Sequence, residues 1–205
     1  MANNHELSFF FKLVLTVASL HLAIAGDPDI ISDFIVPPNG TLDGNFFTFT
    51  GMRSLVGAEF PTTFKAIKVS MAEFPALIGQ SVSYAVLLYP SGTVSPPHTH
   101  PRAAELLFLL EGSLEVGFVD TKNTLFTQTL ETGDMFVFPK GLVHYQYNSD
   151  KKNPAVALSA FGSANAGIVS IPTTVFNTSI FDGVLAKSFK TGVATIRKLK
   201  AGLAH

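Results

Sequence analysis

From Phe46 to Leu158 the chain is a succession of short runs rich in Val, Phe, Leu and Tyr, each closed by Gly, Pro, Asn or Asp, and no stretch of helical length interrupts them. Few folds accommodate that pattern. β-Branched and aromatic residues suit the pleated, half-buried surface of a sheet, and the punctuating residues supply the turns between strands. Strands are predicted over Phe46–Phe49, Thr63–Ser70, Val82–Tyr89, Glu105–Glu111, Ser113–Val119, Leu125–Leu130, Met135–Phe138, Val143–Asn148 and Ala155–Phe161. Turns such as Glu111-Gly112-Ser113 and Thr132-Gly133-Asp134 separate them. Short, evenly spaced strands of this kind predict an all-β sandwich or barrel. Beyond Pro172 the period changes, and Asp182–Phe189 and Thr191–Ala201 space their apolar residues as helices do. Thr191 is placed to cap the second of these and Gly202 to lie just past its end. Two short C-terminal helices are therefore expected, either covering the barrel or packing against another subunit.

The first 25 residues do not belong to this pattern. Lys12 precedes a largely apolar run, Leu13 to Leu20, and the small-residue pattern Ala23-Ile24-Ala25 stands before Gly26 and Asp27, which is the order of a secretory signal cleaved after Ala25. The run is bounded by Lys12 and His21 and falls short of a membrane span. The remaining residues, 26–205, are enough for one domain and too few for two, and they contain no internal repeat. The chain contains no cysteine, so neither a disulfide nor a thiolate ligand is available to it. Its net charge is −1 with basic residues dispersed apart from Arg197, Lys198 and Lys200, which argues against a nucleic-acid-binding face. Two sequons, at Asn39 and Asn177, accord with export into a glycosylating compartment.

The six histidines are distributed unevenly. His5 and His21 fall in the leader and His205 is the last residue, leaving three internal ones. In His98-Thr99-His100 the period of two puts both imidazoles on one face of an extended segment. Glu105 follows the turn-like Pro101-Arg102, close enough to return a carboxylate to that face, and the Pro139-Lys140-Gly141 turn can direct His144 to it as well. Three imidazoles and a carboxylate suit Mn, Fe, Co, Ni or Zn, with coordination positions left for water or substrate. Leu106 to Leu110 and Met135 to Phe138 are expected to wall the site off from water.

These residues also fit a family pattern. Gly92, His98-x-His100, Glu105 and Gly112 form one motif, and Gly133, Pro139-x-Gly141, His144 and Asn148 form a second, in the order and spacing that resemble both cupin motifs of plant germins and germin-like proteins. The likeness runs from about Asp27 to Ala201. It implies a single cupin jelly-roll β-barrel with a helical C-terminal extension, Mn²⁺ held by His98, His100, Glu105 and His144, and a homo-oligomer, commonly a hexamer, in the cell wall or apoplast. Arg102, between the ligands, and Asn148, closing the second motif, are the residues placed to brace them.

The resemblance also has gaps. Germins carry a cysteine in a stretch like Asp-Phe-Cys-Val, where this chain reads Asp33-Phe34-Ile35-Val36, which puts it in a divergent, cysteine-free subgroup. The asparagines that resemble oxalate contacts in true germins correspond to Ala85 and Ser95. Alanine cannot hydrogen-bond a carboxylate, and a site built on such bonds loses its discrimination without them. The expected function is therefore a manganese oxidoreductase acting on superoxide. Oxalate oxidase and a non-enzymatic apoplastic binding or receptor-like protein are the alternatives, and the single barrel with its full ligand set weighs against a storage protein.

Overall fold

The structure is a computed structural model that describes residues 27–38 and 40–203, so the leader expected over residues 1–25, the sequon residue Asn39 and the terminal His205 lie outside the described residues. Ten strands form the body: β1 (Lys65–Val69), β2 (Ser83–Tyr89), β3 (Val94–Thr99), β4 (Glu105–Glu111), β5 (Ser113–Val119), β6 (Leu125–Glu131), β7 (Met135–Phe138), β8 (Val143–Tyr147), β9 (Ala155–Phe161) and β10 (Val169–Ser170). Three helices come after them, α1 (Ile171–Phe176), α2 (Asp182–Ser188) and α3 (Val193–Leu203). The strands make two antiparallel five-stranded sheets, ordered β1-β2-β9-β4-β7 and β10-β3-β8-β5-β6. This is the all-β jelly roll with short C-terminal helices that the sequence predicts.

The period of two decides what fills the interior. Leu107 and Leu109 of β4, Leu114 and Val116 of β5, and Ala155 and Ala157 of β9 all point inward and are fully buried, with Phe138 at the end of β7 closing one side. Their alternate neighbours point out. Leu106, Leu110, Met135 and Val137 are exposed, so only half of each apolar segment expected to wall the site does so. Gly112 joins β4 to β5 with φ +87°, and a Cβ there would lie 2.6 Å from the Pro154 carbonyl oxygen; only glycine fits that turn.

Several features differ from the sequence expectations or lie outside them. Phe46–Phe49 is not a strand, because the Asp43 carboxylate accepts hydrogen bonds from the backbone N–H groups of Asn45 and Phe46 and winds the chain into a turn. Short 3₁₀ turns occupy Gly51–Leu55 and Pro75–Leu77. The segment Ile171–Phe176, which carries no strong helical signal, forms α1. The last helix starts at Val193, directly after Gly192, and runs through Gly202, so neither Thr191 nor Gly202 sits at its boundary. A second, small core of Leu185, Ala186 and Ile196, with Val175 and Phe176 against it, packs the three helices together. Asp182 ties α2 to α3 by pairing with Arg197 at 3.0 Å and Lys200 at 2.9 Å.

One irregularity positions the site. Against β8, Ser95 pairs with Gln146 and His98 with His144, so three residues of β3 advance where β8 advances two. The extra residue is a β-bulge at Pro96-Pro97, where prolines are tolerated because they have no N–H to lose from the ladder. The bulge reverses the alternation, and Ser95 and His98, an odd number of residues apart, both face inward and are buried.

Candidate metal centre

His98 projects from the inner face of β3, His100 follows just past its end, and His144 lies opposite His98 on the neighbouring β8. Glu105, the first residue of β4, comes from the other sheet. All four are between 1% and 8% exposed, and their ligating atoms lie within 4.8 Å of one another. The structure thus brings together the four residues that the sequence singles out.

Each imidazole is oriented by the backbone. His98 donates from Nδ1 to the Pro96 carbonyl at 2.8 Å, His144 to the Leu142 carbonyl at 2.8 Å, and His100 to the Gly167 carbonyl at 2.5 Å. A carbonyl can only accept, so the proton sits on Nδ1 and the lone pair of each Nε2 is free. Two of these nitrogens, on His100 and His144, lie 3.1 Å from Glu105 Oε2. Lone pairs facing a carboxylate oxygen at that distance repel unless a proton or a cation stands between them. Donors roughly 2.1 Å from one ion and adjacent in its coordination shell are about 3 Å apart, so the spacing fits a metal as well as it fits protons.

The electrostatics agree. Burial lowers the His98 pKa to about 4, assisted by His144 and opposed by the Pro96 carbonyl and by Glu105, so the ring is neutral and able to ligate at ordinary pH. Burial raises the Glu105 carboxyl, but where a proton stands between its Oε2 and the Nε2 atoms of His100 and His144 the resulting hydrogen bonds and imidazolium charge outweigh this and hold it at about 2, a part that a bound cation would take over. The site therefore contains a buried, ionised carboxylate, which favours a cation beside it.

Two residues that sequence reasoning missed complete the cluster. Ser159 of β9 donates its hydroxyl to Glu105 Oε1 at 2.5 Å, and Gln146 Nε2 lies 3.4 Å from the same oxygen. Gln146 stands two residues after His144 on the same face, a period-two signal that was available in the sequence; Ser159 is 54 residues from Glu105 and left none. Gln146 Oε1 is buried and has no hydrogen-bond partner among the described residues.

Arg102 and Asn148 do not touch the ligands. Arg102 donates to the carbonyl oxygen and side-chain oxygen of Asn165, clamping the loop that carries Gly167 and so holding His100 at one remove. Asn148 is fully buried and donates from Nδ2 to the carbonyls of Tyr89, Pro90 and Asn153, tying two turns together. Asn177 is exposed, immediately after α1.

A cavity of about 390 Å³ opens over the cluster. His98, His100, Glu105 and Gln146 are at its polar end, Ala85 and Ser95 line it, and most of the remaining wall is apolar. Such a site can hold a metal ion with room for a further ligand. Among the described residues no helix is long and apolar enough to cross a membrane.

Comparison with known proteins gives a consistent picture. The family model described as Cupin matches residues 61–197. The chain is 58% identical to a putative germin-like protein 9-2 and 58% identical to germin-like protein 9-3, both of Oryza sativa subsp. japonica, with 96% of each chain covered in both cases. Among solved structures it resembles an oxalate oxidase at 29% identity and a TM-score of 0.76, covering 87% of this chain and 98% of that one. An oxalate oxidase in complex with the substrate analogue glycolate matches at 28% identity with the same TM-score of 0.76 and the same coverage, 87% and 98%.

Proposed function

The chain belongs to the cupin family and to its germin-like branch, and from that premise we propose that it is an exported, manganese-dependent oxidoreductase acting on superoxide. The observation that carries this reading is the convergence of three imidazole lone pairs and one carboxylate oxygen in a buried cluster beneath an open cavity. Bound there by His98, His100, Glu105 and His144, manganese would supply a redox-active centre with coordination positions left for a small ligand.

The chain's own residues do the rest. The carbonyls of Pro96, Leu142 and Gly167 keep the three rings in the ligating tautomer. Ser159 holds one oxygen of Glu105, leaving the other for the cluster. In the overall reaction one superoxide gives up an electron and becomes dioxygen. A second takes up that electron with two protons from solvent and becomes hydrogen peroxide.

Oxalate oxidation is the second enzymatic reading, favoured by the likeness to oxalate oxidase structures. Against it, Ala85 and Ser95 line the cavity where the resemblance places carboxylate-binding asparagines. Superoxide needs no such partners. The composition of residues 1–25 and the exposure of Asn177 support export and glycosylation, and the apolar outer face of one sheet supports assembly into a homo-oligomer, a hexamer by resemblance.

The reading is tested by measuring superoxide dismutation per bound metal atom on secreted protein of known manganese content, with His144→Ala alongside. Activity is expected to track bound manganese and to vanish with the substitution. A rate no faster than that of the same concentration of free manganese would sink it.

A further inference from the structure

We propose that the cavity above the cluster is a binding site for a 2-hydroxycarboxylate with an apolar side chain, its two adjacent oxygens directed to the metal and its hydrocarbon body lying along the inner wall of the barrel. The proposal rests on reading the cluster as a metal centre and goes beyond the reaction of superoxide.

Size is the first argument. The cavity measures about 390 Å³, whereas a water molecule occupies roughly 30 Å³ of liquid, so a diatomic anion leaves nearly all of the space unused. Pockets for small organic molecules begin at roughly 300 Å³.

The second argument is how the chemistry of the wall changes with position. At the polar end are His98, His100, Glu105 and the Gln146 amide; the rest is built largely from Phe64, Ala85, Leu87, Phe161 and Ala166. A surface of that kind favours hydrocarbon. It gives a second carboxylate little to bond, since Ala85 offers nothing, the Ser70 and Ser83 hydroxyls already donate to Glu73 and to the Ser163 carbonyl, and Asn165 Oδ1 accepts from Arg102. Lys68, a cation on the wall, is largely exposed and lies 3.5 Å from Glu73, which leaves Ser95 as the hydroxyl nearest the ligand set. The ligand is therefore a monocarboxylate. One divalent ion beside one ionised Glu105 leaves a single positive charge for it to balance.

Gln146 supplies the partner for the hydroxyl. With its Nε2 turned to Glu105, its Oε1 is a buried acceptor that no described group satisfies, and it belongs to a residue lining the cavity. A carboxylate cannot donate to that oxygen, whereas a neighbouring hydroxyl can.

The experiment uses manganese-loaded full-length protein whose metal content is measured first, titrated calorimetrically with 2-hydroxy-4-methylpentanoate, glycolate and 4-methylpentanoate. Each buried methylene tightens binding roughly fourfold, so the branched hydroxy acid is expected to bind upwards of tenfold more tightly than glycolate. It is also expected to bind more tightly than the acid lacking the hydroxyl. Ala85→Leu, which fills the cavity, should erase the advantage over glycolate, and Gln146→Leu should erase the preference for the hydroxyl. Equal affinity for glycolate and the branched acid on fully loaded protein, or undiminished binding to metal-free protein, overturns this proposal alone. A chain that takes up no metal overturns the metal-centre reading and this proposal with it.

Discussion

His98 couples the site to acidity through the burial of one ring. Its pKa is about 4 in the folded protein, against 6.5 for the free side chain. Between these values the unfolded chain binds a proton that the folded one does not, so stability is full above pH 6.5 and declines as the pH falls toward 4, by about 3 kcal/mol. Glu105, held at about 2, loses its own contribution only below its ordinary 4.5, a separate and more acidic window. Thermal unfolding of the metal-free protein followed from pH 7 to 4.5 should show a falling Tm, and His98→Gln should flatten the profile; a level profile in the unsubstituted protein would contradict this account. Ser159 acts differently, through geometry. Removing its hydroxyl in Ser159→Ala frees Glu105 Oε1 to rotate and is expected to weaken manganese binding tenfold to a hundredfold, read by competition with a chelator.

The bulge in β3 decides whether these side chains meet. Because Pro96-Pro97 adds one residue relative to β8, inserting one further residue between Pro97 and His98 exceeds what the one-residue bulge absorbs and turns His98 toward solvent. That insertion is expected to abolish metal uptake, measured by elemental analysis, while the far-ultraviolet signature of the sheets persists; retained metal would show that the facing of His98 does not depend on the bulge. The sequence revealed the alternation itself well. Strands β4, β5, β7 and β9 begin and end where their residue types say they should, and the four clustered residues were legible from spacing and motif. Other features depend on contacts no local pattern encodes. Phe46-Phe47 reads as a strand but is turned by Asp43, and the two rings pack edge to face at 4.9 Å. Ile171–Phe176 becomes a helix despite two Thr and a Val, residues that lose side-chain freedom in that conformation, because Val175 and Phe176 find the small core of α2 and α3. Ser159 reaches Glu105 only through the pairing of β9 with β4.

At the scale of the whole molecule, the outer face of the β1-β2-β9-β4-β7 sheet is the least usual surface. Tyr84, Leu106, Phe108, Met135, Leu158 and Ala160 line one shallow depression on it, with Leu110 and Val137 exposed nearby. A continuous apolar face of this kind is uncommon on a solitary chain. Light scattering on the purified protein is expected to give the mass of an oligomer, and Leu106→Lys with Val137→Lys to reduce it to one chain; a single-chain mass before substitution would refute the assembly. The origin of the four ligands has a different consequence for the molecule. His98 and His144 belong to one sheet and Glu105 to the other. An ion gripped by all three would rivet the two halves of the sandwich together and would give a chain without cysteine a cross-link made of coordination bonds. Such a rivet strengthens the fold by mass action, about 4 kcal/mol when free metal stands a thousandfold above its dissociation constant. Unlike a disulfide, it is undone by acid or a chelator and restored when the metal returns.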